Sequence, residues 1–300
     1  EFRGDRYARL IYCRCRNKKR KGGYKKNKII KKTRLAENVT EYVISAPEVA
    51  RHAHPGQFII LRVDEDGERV PFTICDYDSK AGTVTVLVQE VGYSTIKLSQ
   101  IPEGGFISDF VGPLGNPTDL SEFKNILLIG GGIGAAVIYP QAKALRAKGM
   151  PSDVIVGART ASLLMYEKEF KAAAKNLYLI TDDGTSGVKG FVTDELKRLA
   201  ATNKYDCVFA VGPMPMMRAV CALTAELKIK TVVSMNSIMV DGTGMCGGCR
   251  LTCGGKTKYA CVDGPEFDGH LIDWDEAISR SRIYREHESR HRCMLTGEER

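Results

Sequence analysis

The hydrophobic pattern of this chain changes after residues 112–117, and this change constrains the fold more than any other feature. Before it, short runs rich in β-branched and aromatic residues alternate with turn-forming residues, and no long helical pattern interrupts them. The runs are 28–35, 39–45, 57–63 and 83–89, with turns at 64–67 and 79–82. Strands at this spacing predict a closed antiparallel β-barrel over residues 28–117.

From residue 118 onward, apolar runs alternate with helical segments. The apolar runs are 125–130, 153–157, 177–181, 207–211 and 230–234, and the helical segments between them are 133–148, 165–175, 190–201 and 214–227. Runs that are apolar throughout are typical of strands buried on both faces. The alternation predicts a doubly wound parallel sheet, so the fold class is a β-barrel followed by an α/β domain.

Two loops at one edge of this predicted sheet form a candidate nucleotide site. The first follows the strand at 125–130 and opens a helix, so its free amides face the strand end, where a pyrophosphate fits. It consists of Gly130, Gly131, Gly132, Ile133 and Gly134, and the second, after 207–211, begins with Gly212, Pro213 and Met214. Each loop alone is also explained as a tight turn or a helix breaker without a ligand. Two such loops at one edge favour a dinucleotide.

A cysteine-rich segment follows the α/β region. Four of the ten cysteines lie within sixteen residues, and six glycines among and around them let the backbone wrap closely around a small group. The cysteines are Cys246, Cys249, Cys253 and Cys261, and the glycines are Gly242, Gly244, Gly247, Gly248, Gly254 and Gly255. A disulfide framework is disfavoured because the chain is long enough to bury a core and shows no secretory leader. The segment predicts a metal centre, and spacing alone leaves iron–sulfur and zinc equally open.

The formal charge of +8 is concentrated in the first 34 residues. They hold fifteen basic and two acidic side chains, whereas the remaining 266 residues carry 29 basic and 34 acidic ones. We therefore expect no nucleic-acid partner and interpret residues 1–27 as a disordered basic leader, with a basic arm for RNA or an anionic surface as the alternative. No apolar run approaches the roughly 18 residues of a membrane span, so we expect a cytoplasmic protein without membrane association.

Residues 69–74 of the barrel combine groups that suit a diphosphate and a flat ring. Arg69 supplies a cation, Pro71 a rigid turn, Phe72 an aromatic face and Thr73 a hydroxyl. Taken alone this motif is weak, because an arginine at a strand edge is usually solvated and a phenylalanine is more often part of the core.

The order of these parts resembles the ferredoxin–NADP reductase superfamily. The resemblance rests on the R-x-P-[FY]-[ST] pattern at 69–73, the two loops of the α/β domain and the cysteine-rich segment, and it covers about residues 28–290. Segments 157–160, 181–190 and 263–269 are similar to the small subunit of NADH-dependent ferredoxin–NADP oxidoreductase, also called sulfide dehydrogenase. The same branch includes the electron-transfer subunit of dihydroorotate dehydrogenase.

The resemblance implies FAD in the barrel, NAD(H) or NADP(H) on the parallel sheet and a [2Fe-2S] cluster in a C-terminal lobe. Its FAD contacts fall on Arg69, Val70, Pro71, Phe72, Thr73, Leu87, Val88, Gln89, Gly92, Ser94 and Thr95, with Thr73 near the flavin N5 as the catalytic residue. The chain departs from the family where Val70 replaces an arginine. The nucleotide contacts fall on Gly130 to Gly134, Arg159, Asp183, Gly212, Pro213 and Met214. Arg159 also suits a 2′-phosphate, which leaves NAD and NADP open.

For the cluster, the resemblance implies Asp241, Cys246, Cys249 and Cys261 as ligands. The dihydroorotate branch has a cysteine five residues before the second ligand, where this chain has Asp241. An aspartate in that place is similar to the ferredoxin–NADP oxidoreductase branch, and Cys253 is the alternative fourth ligand. A carboxylate is a harder ligand than a thiolate, so we expect it to change the potential of its iron.

The function implied by the resemblance is that of an oxidoreductase subunit passing electrons between NAD(P)H, FAD and a [2Fe-2S] cluster. The implied partner is a larger flavin and [4Fe-4S] subunit, with ferredoxin reacting through the complex. Two alternatives stay open: the electron-transfer subunit of a dihydroorotate dehydrogenase and a zinc-stapled nucleotide-binding module. We expect a leader at 1–27, an FAD barrel at 28–117, an NAD(P) domain at 118–235, a cluster lobe at 236–270 and a helix with a tail at 271–300.

Overall fold

The computed structural model describes residues 27–296, so the predicted leader lies outside the described residues except for Asn27, which begins the first strand. The N-terminal part contains β1 (Asn27–Ala36), β2 (Val39–Ser45), α1 (Pro47–His52), β3 (Phe58–Arg62), β4 (Arg69–Asp78), β5 (Thr83–Gln89), α2 (Tyr93–Ser99), β6 (Phe106–Ile107) and β7 (Asp109–Leu114). These strands pair in the order β6-β1-β2-β5-β4-β3-β7. The edge strands β6 and β7 are separated in the chain by Ser108 alone, so the sheet curls into a nearly closed antiparallel barrel, as predicted.

Pro71 lies inside β4, opposite Ile60 of β3, and the predicted rigid turn at this position is wrong. A proline fits because its fixed φ of about −65° is compatible with an extended backbone. It also interrupts no ladder with β5, because β5 pairs with β4 only from Ile74 onward. The predicted turns at 64–67 and 79–82 are confirmed, since they join β3 to β4 and β4 to β5.

The second part is the predicted α/β domain. It contains β8 (Ile126–Gly131), α3 (Gly134–Ala147), β9 (Asp153–Ala158), a 3₁₀ turn (Ala161–Leu163), α4 (Glu167–Ala173), β10 (Asn176–Thr181), β11 (Val188–Lys189), α5 (Val192–Ala200), β12 (Cys207–Val211), α6 (Met214–Glu226) and β13 (Lys230–Ser234). These strands are parallel in the order β11-β10-β9-β8-β12-β13, with α3 and α4 on one face and α5 and α6 on the other. The order reverses between β8 and β12, which is where ligands bind in such sheets.

The C-terminal part contains β14 (Arg250–Cys253), β15 (Lys256–Tyr259), β16 (Glu266–Asp268), α7 (Trp274–Arg280) and α8 (Arg285–Thr296). β14 and β15 form a hairpin, and β16 pairs antiparallel with β13 at the edge of the parallel sheet. The lobe is therefore joined to the α/β domain through a shared sheet. Across residues 27–296, the helices are all too short or too polar to cross a bilayer.

β3 is buried on both faces, and each face belongs to a different core. Ile59 and Leu61 pack inside the barrel. Phe58 and Ile60 point the other way, into a core that they share with the α/β sheet and with the buried Cys249 of the lobe. The outer face of β3 is therefore where the barrel, the sheet and the C-terminal lobe meet.

Candidate functional site

The barrel presents an open strand segment beside the lobe. Of the described strands, β3 alone pairs with residues 69–73 of β4. Pro71 and Thr73 are the register partners of Ile60 and Phe58, so their side chains share the outer face of β3. Phe72 alternates to the other face and packs against the barrel core. A flat ligand on the outer face would therefore contact Pro71 and Thr73.

The other candidate FAD residues differ in how far they are exposed. Arg69 is exposed, and Val70 and Gln89 are half-buried. Val88 has no exposed surface and packs in the barrel core, so the predicted contact between Val88 and FAD is not supported by this arrangement. Leu87 is buried where the barrel meets the α/β domain.

The start of α2 brings Gly92, Ser94 and Thr95 together. Thr95 Oγ1 accepts a hydrogen bond from the Gly92 amide (3.0 Å), and Ser94 Oγ donates to Glu68 Oε2 (3.0 Å). Glu68 Oε1 also lies 3.7 Å from His291 Nδ1 of α8. Glu68 was not among the predicted site residues, and in the sequence only its position next to Arg69 marks it.

The two predicted nucleotide loops meet at the switch point of the sheet. A Cβ atom added at Gly134 would lie 2.2 Å from the carbonyl oxygen of Val211, and one at Gly131 would lie 2.3 Å from Met216 Sδ. The loop members at this edge are Gly130, Gly131, Gly132, Ile133, Gly134, Gly212, Pro213 and Met214. Glycine at position 134 therefore permits a close approach of the first loop to the end of β12 that any side chain would prevent.

Arg159 and Asp183 lie at the same edge, after β9 and β10. The Asp183 amide donates to the carbonyl oxygen of Arg159 (3.3 Å), and both residues are exposed. Hydrogen bonds from the side chain and amide of Thr185 lower the pKa of Asp183, so its carboxylate is anionic at neutral pH. The edge thus offers one cation and one anion to a ribose or its phosphate.

The four candidate cluster ligands form two pairs. Asp241 Oδ1 lies 3.3 Å from Cys246 Sγ, and Cys249 Sγ lies 3.2 Å from Cys261 Sγ. Within residues 27–296, no three His, Cys, Asp or Glu side chains converge as they would around a single metal ion. A structural zinc site needs four ligands around one ion, whereas a [2Fe-2S] cluster presents two irons with two protein ligands each. The pairing suits the two-iron cluster better.

The local structure fits such a cluster. Cys249 and Cys261 are free thiols, and burial, followed by the neighbouring Cys249 thiol, raises the pKa of Cys261, so a bound cation is needed to stabilise the thiolate of Cys261. Burial alone would raise the pKa of Asp241, but hydrogen bonds from Thr243 and Cys246 outweigh it and keep the carboxylate ionised. Three glycines with φ of 74°, 87° and 65° shape this loop: Gly242, Gly244 and Gly247.

Cys253 lies away from these pairs. It ends β14, pairs with Lys256 and bridges to Ile272, two residues before α7. The ladder already includes Cys249, whose carbonyl oxygen accepts from the Ala260 amide. At about 3.3 Å per residue, Cys253 is roughly 13 Å from Cys249 along the hairpin. The register of the hairpin thus carries Cys253 away from the Cys249–Cys261 pair, and Asp241, 3.3 Å from Cys246 Sγ, is the better-placed candidate for the fourth ligand.

The loop that begins with Asp241 packs directly on the barrel. A Cβ at Gly242 would lie 2.8 Å from Leu114 Cδ1 and 3.0 Å from Ile60 Cγ1. Ile60 is the register partner of Pro71, and neighbouring strands are about 4.8 Å apart. The candidate cluster loop and the candidate flavin segment are therefore separated by one strand. No motif in the sequence predicted this proximity.

Comparisons with known proteins agree with this arrangement. Residues 236–273 match the family described as the iron-sulfur cluster binding domain of dihydroorotate dehydrogenase B. The chain is 46% identical over 267 residues to a dihydroorotate dehydrogenase B (NAD(+)) electron transfer subunit homolog of Thermotoga maritima, covering 89% of this chain and 94% of that protein. It is 36% identical over 248 residues to the dihydroorotate dehydrogenase B electron transfer subunit of Listeria monocytogenes, covering 80% and 95%.

A solved structure extends this similarity to the fold. A chain from a study of flavin-based electron bifurcation in NADH-dependent reduced ferredoxin-NADP oxidoreductase superposes with a TM-score of 0.85 and 44% identity. The match covers 90% of this chain and 98% of that one. The chain belongs to the family of dihydroorotate dehydrogenase B electron-transfer subunits and their homologues, within the ferredoxin–NADP reductase superfamily.

Proposed function

We propose that this chain is the electron-transfer subunit of an NAD(P)H-dependent flavoprotein oxidoreductase of the ferredoxin–NADP oxidoreductase type. It holds FAD at the barrel, a nicotinamide nucleotide at the switch point of the parallel sheet and a [2Fe-2S] cluster in the C-terminal lobe. The observation that carries the proposal is that the candidate flavin segment and the candidate cluster loop both adjoin β3, whose outer face shares a core with Met214 of the second nucleotide loop. A cytoplasmic location is part of the proposal, because free buried thiols are typical of reducing compartments.

The chain's own residues position and insulate the redox groups. When bound, FAD links the two-electron chemistry of a nicotinamide to the one-electron chemistry of an iron–sulfur cluster. Pro71 and Thr73 orient the ring, and the Gly131 and Gly134 loops hold the pyrophosphate of the nucleotide. Asp241 with Cys246 binds one iron, and Cys249 with Cys261 binds the other. Both NAD and NADP fit the proposal.

A larger partner subunit completes the proposed enzyme. Met245, next to the ligand Cys246, is 87% exposed, and Val240 and Val262 nearby are exposed as well. Apolar side chains around a redox centre suit a protein interface better than water. We propose that the partner carries a flavin and [4Fe-4S] clusters and covers this face, with ferredoxin reacting through the complex.

The first test is the spectrum of protein purified without oxygen. We expect flavin absorption bands, two irons per chain, no zinc and bleaching of the flavin on addition of NADH or NADPH. Colourless protein that contains zinc would contradict the proposal and favour a zinc-stapled nucleotide-binding module.

Thr73 provides a second test. Replacing its hydroxyl by a methyl group in Thr73→Val removes one hydrogen bond to the flavin, so we expect reduction by NADH to be about tenfold slower in stopped-flow absorbance. Thr73→Ser keeps the hydroxyl and serves as the control, with a rate close to that of the wild type. Equal rates in Thr73→Val and wild type would remove Thr73 from the catalytic role.

A second candidate function is the electron-transfer subunit of a dihydroorotate dehydrogenase, because a relative with that name is 36% identical to this chain. Asp241 in place of the first cysteine argues against it. Purification from the native host separates the two. A partner with [4Fe-4S] clusters supports the ferredoxin-type enzyme, and an FMN-containing dihydroorotate enzyme supports the alternative.

A further inference from the structure

The barrel, the α/β domain and the lobe are tied together at residues 115–118, between β7 and β8. The Asn116 amide donates to the carbonyl oxygen of Gly264 in the lobe (2.7 Å). Two residues later, the Thr118 amide donates to the carbonyl oxygen of Pro55 in the barrel (2.8 Å). This short segment is therefore bonded to both neighbours before the chain enters the parallel sheet.

A carboxyl group is enclosed at this junction. Glu266 of β16 keeps some exposed surface, but its Oε1 is hydrogen-bonded to Thr118 Oγ1 and lies 2.6 Å from the position of a Cβ added at Gly56. Gln141 of α3 is buried next to Thr118. Four segments thus meet at one polar cluster: β16 of the lobe, the 115–118 segment, α3 and the barrel loop before β3.

The amide of Gln141 has one orientation that satisfies both of its ends. In it, Nε2 donates to the carbonyl oxygen of Val137 (2.6 Å), and Oε1 accepts from Thr118 Oγ1 (2.9 Å) and from the Gly56 amide (3.2 Å). The opposite orientation lets Nε2 donate to Thr118 Oγ1 but turns Oε1 toward the Val137 carbonyl oxygen and Nε2 toward the Gly56 amide. An acceptor then faces an acceptor at Val137 and a donor faces a donor at Gly56, so the first orientation is preferred.

This orientation determines where a proton lies. The hydroxyl of Thr118 has one hydrogen, and it is donated to Gln141 Oε1. Thr118 Oγ1 can then only accept from Glu266, so the carboxyl group of Glu266 must carry the proton. We propose that protonated Glu266 is a positioning residue that, through Thr118 and Gln141, locks the barrel, the α/β domain and the lobe in one arrangement. We call these three residues the junction latch.

The electrostatic surroundings agree with a neutral Glu266. Burial raises its pKa to about 7. Among residues 27–296, no charged side chain contributes to the raised pKa of Glu266, and the titratable groups on the elements packed against it are exposed. These groups are His52, His54, Asp119, Glu122, Lys124, Lys143, Arg146, Lys230, Asp268 and His270.

Ionisation of Glu266 reverses the latch. The Thr118 hydroxyl then donates to the carboxylate, Gln141 must turn its nitrogen toward Thr118, and the Gly56 amide loses its acceptor. The barrel loop is released from α3 as the pH rises through about 7. That loop leads into β3, which lies between the proposed flavin and the proposed cluster, so we expect its release to slow electron transfer. This effect on electron transfer rests on the proposed function, whereas the latch itself does not.

Hydrogen–deuterium exchange at Gly56 tests the latch in the full chain. After correction for intrinsic exchange, we expect exchange in the wild type to be about tenfold faster above pH 7 than below it, the cost of one lost hydrogen bond. Glu266→Gln keeps a donor at this position and does not titrate, so Gly56 stays protected at every pH. Thr118→Val breaks the relay, so Gln141 keeps its bonds to Val137 and Gly56, and Gly56 stays protected at every pH. The same pH response in wild type and Glu266→Gln would overturn the latch.

A kinetic measurement separates the latch from the proposed function. We expect the rate of cluster reduction after mixing with NADH to fall above pH 7 in the wild type and to stay constant in Glu266→Gln. If Gly56 exchange responds as expected but no variant passes electrons to the cluster, the latch holds and the proposed function fails. If electrons reach the cluster but exchange at Gly56 has the same pH dependence in the wild type and in Glu266→Gln, the proposed function holds and the latch fails.

Discussion

Cys249→Ser is expected to abolish the iron–sulfur cluster while leaving the flavin bound. Cys249 is almost completely buried, and its Sγ is 3.2 Å from that of Cys261, so a hydroxyl there leaves one iron with a single thiolate ligand. We expect iron to fall from two per chain to near none, and the EPR signal of the reduced cluster to vanish. The flavin bands should remain, because the candidate FAD residues lie in the barrel.

The matched control is Cys221→Ser. Cys221 is also a buried free thiol, packed beneath Gly269 and remote from the four candidate ligands in sequence, so it carries the same cost of burying a hydroxyl. We expect Cys221→Ser and Cys253→Ser to retain full iron content. If Cys253→Ser loses the cluster while Asp241→Ala keeps it, the fourth ligand is Cys253 and the pairing of Asp241 with Cys246 has no role in metal binding.

The sequence predicted the parts of this protein whose signals are local. The alternation of apolar runs with helical segments predicted the parallel sheet, because strands buried on both faces have no polar positions. The loops at 130–134 and 212–214 were predicted at one edge because both follow parallel strands. Their close packing through Gly134 and Val211 follows from the same order.

The sequence did not reveal contacts that depend on distant segments. The apolar run of β3 reads as one buried strand, and nothing in it says that Ile59 faces the barrel while Ile60 faces the cluster loop. Glu266 reads as a surface acid in a polar stretch, and its partner Thr118 is 148 residues away. The turn predicted at Pro71 was wrong. A proline is tolerated inside a strand where no neighbouring strand needs a hydrogen bond from its backbone nitrogen, and β5 does not pair with this part of β4.

The arrangement of the cluster ligands could not be predicted from the sequence either, although these residues lie close together in the chain. Spacing left zinc and iron–sulfur equally open, because both use closely spaced cysteines. The fold separates Asp241 and Cys246 from Cys249 and Cys261 as two pairs, and it places Cys253 down the hairpin. Spacing cannot report this separation, since a hairpin either brings cysteines together or carries them apart according to its register.

Gly134→Ala is expected to remove nucleotide binding. The new Cβ would lie 2.2 Å from the carbonyl oxygen and 2.7 Å from the carbonyl carbon of Val211, backbone atoms at the end of β12 that cannot rotate away. The loops after β8 and β12 must therefore separate. Hydrogen bonds to a charged group contribute about 1.5–3 kcal/mol each, so losing two backbone bonds to the pyrophosphate should raise the dissociation constants for NADH and NADPH by roughly 100-fold or more. Titration of the flavin spectrum with nucleotide measures this change.

Two alanine variants control for backbone strain and for folding. Gly132 (φ 56°) and Gly149 (φ 75°) both have left-handed backbone, and a Cβ at either meets no atom within 4 Å. Each substitution costs about 1 kcal/mol of strain without a clash. Gly149, at the far end of α3, should leave nucleotide affinity unchanged, and flavin and cluster absorption in Gly134→Ala should confirm that the rest of the chain is folded. If folded Gly134→Ala binds nucleotide as tightly as the wild type, the nucleotide does not occupy the switch point between β8 and β12.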